Sequence, residues 1–289
     1  MPPLRIRQHA PFRRAWKLLV SGTLFGLLGL GGLAGSWLVL PVLRLLPGGR
    51  AGLRRRTGTL IRWAFRGFLG VLDATGILRV QVELDGAGPL AGALVVCNHP
   101  SYLDVVVLLG FLPDAVCLVK PAVAASPWFG AMVRAAGHFP AGDPEAVLEA
   151  AQAALGAGLT LVLFPEGTRS RPGQPFHFQR GWAHLACRTG ARTVPLVLSC
   201  VPDLLGPGHR WYHVPLATCR FRVRVGAGAG LERAASDRDT THQAVRRLNA
   251  GLEGYYDKEV YGTQQGRHPE PTAGDSGGVL PAGPQGHHT

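Results

Sequence analysis

The sequence predicts an α/β fold, a mostly parallel central sheet flanked by helices, preceded by an N-terminal helical segment embedded in a membrane. Three observations carry the prediction. Short apolar, β-branched runs alternate with helical patterns from residue 77 to residue 256, which is the sequence form of a parallel sheet with crossover helices. Leu18 to Leu43 is a run of twenty-six residues without a charge. The formal charge of +12 is confined to one end, since residues 1–72 hold twelve of the thirty Lys/Arg and none of the eighteen Asp/Glu. The remaining chain is neutral, so the basic pI does not mark a nucleic-acid-binding domain, and no nucleic-acid partner is expected.

Residues 1–17 read as a basic N-terminal arm, and residues 18–72 as membrane-anchoring helices. Arg13, Arg14 and Lys17 precede the uncharged run and Arg44 follows it. At about 1.5 Å per residue the run is long enough to cross roughly 30 Å of hydrocarbon. It exceeds the apolar region of a secretory signal, and arginines follow it in place of a small-residue cleavage site. Gly22, Gly26, Gly29, Gly31, Gly32 and Gly35 would let other helices approach closely. Leu53 to Leu72 then mixes Arg54, Arg55, Arg56, Arg62 and Arg66 with Leu60, Ile61, Trp63, Phe65 and Phe68. That pattern fits an interfacial amphipathic helix; a plain core-packing helix is the competing reading. The larger arginine cluster after the span favours a cytoplasmic C-terminal domain.

Residues 73–261 form the core domain. Its expected strands are Ile77–Leu84, Ala93–Cys97, Ala115–Lys120, Thr160–Phe164, Thr193–Cys200 and Phe221–Val225. Expected helices are Ser101–Phe111, Pro127–Ala136, Pro144–Leu155, Gly181–Thr189 and Asp239–Tyr256. Residues 262–289 turn to Gly, Pro, Gln and His and read as a disordered tail. Cys97, Cys117, Cys187, Cys200 and Cys219 are odd in number, lack C-x-x-C spacing and mostly lie in apolar runs, which fits a reducing compartment. No His/Cys grouping has zinc spacing, and neither a metal nor a cofactor is expected. Gly274-Asp275-Ser276-Gly277-Gly278 resembles a serine-protease nucleophile loop, but only eleven residues follow it, too few for the strand and pocket walls such an enzyme needs.

Two clusters carry the chemistry. His99-Pro100-Ser101-Tyr102-Leu103-Asp104 follows the buried strand pattern at Ala93–Cys97. A histidine beside a carboxylate makes a general base with an orienting acid. Ser101 and Asp104 also have the spacing of a capping box, so Asp104 could serve only to open the next helix. Phe164-Pro165-Glu166-Gly167-Thr168-Arg169-Ser170 follows the second buried run, Thr160–Leu163. A carboxylate, a glycine and an arginine at a strand's carboxyl end suit an anionic substrate in an α/β crevice.

Together, His-x4-Asp and Phe-Pro-Glu-Gly-Thr-Arg-Ser resemble the glycerolipid acyltransferases, the family of 1-acylglycerol-3-phosphate O-acyltransferases. Lys120 to Gly142 is similar to the family's second block and Val194-Pro195-Leu196-Val197 to its fourth. The resemblance implies a membrane-bound enzyme that moves a fatty acyl group from acyl-CoA or acyl carrier protein, as co-substrate, to the hydroxyl of a lysophospholipid. It makes His99 and Asp104 catalytic, with Glu166, Gly167, Thr168, Arg169 and Lys120 binding the acceptor. It places the enzyme on the inner (cytoplasmic) membrane, with its catalytic domain facing the cytoplasm. The second block usually closes with an arginine where this chain has Ala141-Gly142-Asp143. Lys120, Arg134 or Arg171 could replace it, or the acceptor could be a lyso-ornithine lipid or a hydroxylated acyl chain. A non-catalytic lipid-binding protein that keeps the fold is the reading from a different class.

Overall fold

The computed structural model describes residues 10–171, 173–226 and 241–262. The start of the basic arm, most of the expected tail, the Gly274–Gly278 motif and His287-His288 lie outside them. The chain opens with a helix at Ala10–Ala34 (α1), which passes through a π-helical turn at Gly35–Val39 into Leu40–Leu45 (α2). Pro41 accounts for the turn, because it has no N–H to give the preceding turn's carbonyl. Gly49–Ala74 (α3) then folds back alongside.

The sheet and its helices follow: Leu78–Glu83 (β1), Leu94–Cys97 (β2), Leu103–Phe111 (α4), Ala115–Val119 (β3), Pro121–Ala124 (α5), Gly130–Ala135 (α6), Phe139–Pro140 (β4), Pro144–Gly156 (α7), Thr160–Leu163 (β5), Gly181–Thr189 (α8), Thr193–Val201 (β6), Cys219–Val225 (β7) and Thr241–Asp257 (α9). The strand order is β1-β7-β6-β2-β5-β3-β4. Five strands from β6 to β4 run parallel. β7 pairs antiparallel with β6 and parallel with β1, so the last two strands run the other way.

The central strands are buried throughout, and their side chains alternate between two core layers. Val95, Cys97 and Val162 face one core with Leu69 and Leu72 of α3 and Val107 and Leu108 of α4. Leu94, Val96, Leu161 and Leu163 face the other, with Trp182 and Ala183 of α8 and Leu252 and Tyr256 of α9. The chain leaves β2 through α4 to reach β3, and leaves β5 through α8 to reach β6. These two connections cross the sheet in opposite directions, and right-handed crossovers therefore put α4 and α8 on opposite faces. The carboxyl ends of β2 and β5 form the switch point where such sheets open a crevice.

The N-terminal helix, which the sequence reads as a membrane span, packs against the domain. It lies along the domain, fastened at both ends. Lys17 Nζ donates to the carbonyls of Pro215, Leu216 and Ala217 at 3.1–3.2 Å. Some twenty residues on, Ser36 Oγ donates to Trp128 O at 3.1 Å and Trp37 Nε1 to Pro127 O at 3.3 Å. Gly22 and Gly32 serve this docking, since an added Cβ would stand 3.3 Å from the Trp211 ring or from Phe129 Cβ. The outward side exposes Leu19, Leu27, Leu30, Leu38 and Leu45. The helix α3 has two unlike halves. Phe68, Leu69 and Leu72 are buried in the core, whereas Leu60 and Trp63 are exposed among arginines.

Candidate active site

β2 ends at Cys97, and the next residue sets the turn that follows. Asn98 is buried and imitates a strand: its Nδ2 donates to Leu198 O at 2.9 Å and its Oδ1 accepts from Leu198 N at 2.8 Å. This clamp on β6 holds the chain where His99 leaves the sheet. The His99 ring lies on Phe164, with centroids 4.5 Å apart. Its Nδ1 stands 2.6 Å from Asp104 Oδ2. The histidine side chain is 18% exposed and the aspartate 0%.

Asp104 makes the contacts that each of its two sequence readings requires. Its Oδ2 also accepts from Ser101 N at 2.9 Å, while Ser101 Oγ accepts from Leu103 N at 3.2 Å, so the capping interactions and the histidine contact use the same carboxylate. Burial pushes its carboxyl up to about 6, against the hydrogen bond from His99, which lowers it. An ionised Asp104 accepts from Nδ1–H and leaves Nε2 with the lone pair. That nitrogen can take a proton from a substrate hydroxyl.

The second cluster approaches from the neighbouring strand, and Glu166 has a role that the spacing does not reveal. Its Oε1 accepts from His99 N at 3.0 Å and from Ser170 Oγ, and Ser170 N donates to His99 O at 2.7 Å. The motif loop is thereby stapled to the backbone of the base. Burial raises the Glu166 carboxyl above the usual range, opposed by its hydrogen bond from Ser170. Gly167 has φ +65°, which a side chain would strain, and Gly167 and Thr168 are exposed.

Arg169 lies 3.8 Å over the Tyr102 ring and spends Nη1 on the carbonyls of Leu205 and Gly206. Among the described residues no protein acceptor meets its Nε or Nη2. The Leu204–Leu205 loop also accepts from Ser101 Oγ at 2.6 Å and Tyr102 N at 3.3 Å, so it braces both clusters. No sequence motif marks that loop. Lys120 is exposed just past β3, at the same end of the sheet. Of the other cations considered for the missing arginine, Arg134 donates to Ala124 O and Arg171 is exposed. Asp143 caps α7 by accepting from Ala146 N at 2.9 Å.

Comparison with known proteins adds to this geometry. Residues 79–199 match the Acyltransferase family. A 1-acyl-sn-glycerol-3-phosphate acyltransferase from Cocos nucifera is 33% identical over 114 residues, 37% of each chain. The alpha form from Mus musculus is 31% identical over 163 residues, covering 53% of this chain and 57% of that one. The matched stretches thus span little more than half of these relatives at most. A similar solved structure is the 1-acyl-sn-glycerophosphate (LPA) acyltransferase PlsC from Thermotoga maritima. Its TM-score is 0.56 at 19% identity, and the match covers 84% of this chain and 97% of that one. This last likeness is one of fold.

Proposed function

We propose that the chain, whose residues 79–199 match the Acyltransferase family, transfers a fatty acyl group from acyl-CoA or acyl carrier protein to the free hydroxyl of a lysophospholipid, 1-acyl-sn-glycerol-3-phosphate giving phosphatidate. The observation that carries the reading is the 2.6 Å contact between His99 and the fully buried Asp104 at the carboxyl end of β2. His99 Nε2 accepts the hydroxyl proton as the oxygen attacks the thioester carbonyl. Asp104 stabilises the imidazolium that forms. The new C–O bond forms and the C–S bond breaks, and the proton passes to the departing thiolate. A positioned base of this kind is worth about 10²–10⁴ in rate.

Glu166 and Ser170 hold the base, and Arg169 offers its remaining N–H groups to an acceptor phosphate. Attachment to the bilayer goes through the exposed apolar side of the N-terminal helix and the arginines of α3. A phosphate-free acceptor is the second reading. It is favoured by Ala141-Gly142-Asp143 in place of the usual arginine, with Asp143 engaged as a helix cap.

The deciding experiment follows labelled acyl groups from acyl-CoA and from acyl carrier protein into lysophosphatidate and lyso-ornithine lipid. Wild type should label one of them, and His99→Ala should reduce the rate by about 10²–10⁴. Equal labelling by both proteins would reject the base.

A further inference from the structure

Next to Tyr102, three residues from His99, lies a groove of about 550 Å³, lined by Phe25, Tyr102, Leu205, His209, Arg210, Trp211 and Tyr212. Two walls belong to the site already described. Tyr102 is three residues from His99 and carries Arg169 over its ring, and the Leu205 carbonyl accepts from both Arg169 Nη1 and Tyr102 N. The other walls come from elements outside the family motifs. Phe25 belongs to α1, and Trp211 comes from the loop that Lys17 fastens to α1 through three carbonyls. Gly22 leaves room for the Trp211 ring, so the docking of α1 builds the groove.

The lining is mostly aromatic and aliphatic, and its two ionisable side chains are engaged elsewhere: Arg210 Nη1 donates to Tyr212 Oη at 2.9 Å and His209 Nδ1 stands 3.3 Å from Asp203 Oδ2. Its volume lies within the range of ligand sites. Trp211 and Tyr212 are exposed at its edge, beside a helix whose outward side is apolar. A lipid chain resident in a bilayer reaches this groove without crossing water.

We propose that this groove takes the hydrocarbon chain of the lipid acceptor, and that Phe25 and Trp211 set which chain lengths are used. The inference rests on the acyl-transfer reading above. Phe25 gives the wall supplied by α1, and Trp211 the wall supplied by the docked loop. Removing either leaves part of a long chain without contact, while a short chain loses little.

The test measures kcat/KM in detergent micelles with octanoyl and palmitoyl lysophosphatidate, for wild type, Phe25→Ala and Trp211→Ala. Each variant should lower the palmitoyl-to-octanoyl ratio on the order of tenfold. The ratio for palmitoyl-CoA against octanoyl-CoA as donor should not move. An unchanged acceptor ratio, or a shift in the donor ratio instead, overturns the assignment. Should wild type acylate neither acceptor, the functional reading fails by itself. The groove is then judged by titrating palmitoyl lysophosphatidate against tryptophan fluorescence. A response abolished by Trp211→Phe supports the groove, and no response rejects it.

Discussion

The carboxylate at position 104 is asked to do two things that oppose each other. In the proposed reaction it must be charged to hold the His99 tautomer, yet it is fully buried and its Oδ1 has no hydrogen-bond partner among the described residues. Burial raises its pKa from the ordinary carboxylate value to about 6, so the ionised, active form is populated above that pH. Activity should therefore fall as pH drops through about 6, read as the acid limb of kcat/KM. Stability moves the other way. A carboxyl whose folded pKa is raised contributes stability that is present at low pH and lost as pH rises through the folded value. Asp104→Asn, which cannot ionise, should lower kcat through the wrong tautomer, by up to about 10⁴. It should also raise the unfolding free energy at pH 7 on the order of 1–3 kcal/mol relative to wild type. Denaturant melts at pH 4 and pH 7 check the second half; a variant less stable than wild type at pH 7 would remove the claim that burial strains this group.

At the scale of elements, the parts legible in the sequence were those whose signal is local. β2 and β5 are four-residue apolar runs buried on both faces, and α8 begins and ends at Gly181 and Thr189 as its pattern indicates. β4 escaped because two residues, one of them a proline, have no periodicity; its place is set from a distance, with His138 Nδ1 accepting from Cys117 N at 3.0 Å. The reversal of β1 and β7 escaped because alternation does not record strand direction. At the site, the contact of His99 with Asp104 was legible because the two lie close in sequence. The clamps by Asn98 and Glu166 were not, because their partners stand about a hundred and about seventy residues away. Asn98 supplies a test. Asn98→Ala leaves Leu198 N–H and C=O buried and unpaired, and should cost about 2–4 kcal/mol of stability. It should also lower kcat more than a substitution of equal destabilisation placed on α7, because it frees the turn that carries His99. Equal kcat for two such variants would reduce Asn98 to a structural role.

For the whole molecule, the proposed membrane attachment turns on the docked helix. Lys17 and Trp37 hold the two ends of that helix to one domain, so its apolar outer side and the arginines of α3 are carried by the same packed unit and would contribute to attachment together. The two contributions differ in physics and can be separated. Burial of Leu19, Leu27, Leu30 and Leu38 in hydrocarbon depends on area and is indifferent to salt and headgroup charge. Arg50, Arg55 and Arg62 act through the negative potential of an anionic leaflet, each contributing about 1 kcal/mol near the surface, screened within a Debye length. Replacing all three by glutamine should therefore weaken binding to anionic vesicles on the order of 100-fold at physiological salt. Binding to neutral phosphatidylcholine vesicles should stay within about twofold of wild type, since the apolar contact is untouched. Raising salt should weaken wild type on anionic vesicles until it matches the triple variant. Co-sedimentation with the two vesicle types across a salt series reads all three outcomes. Loss of neutral-vesicle binding in the triple variant would mean that the arginines hold α3 in place, and that the apolar side of the helix does not anchor the protein unaided.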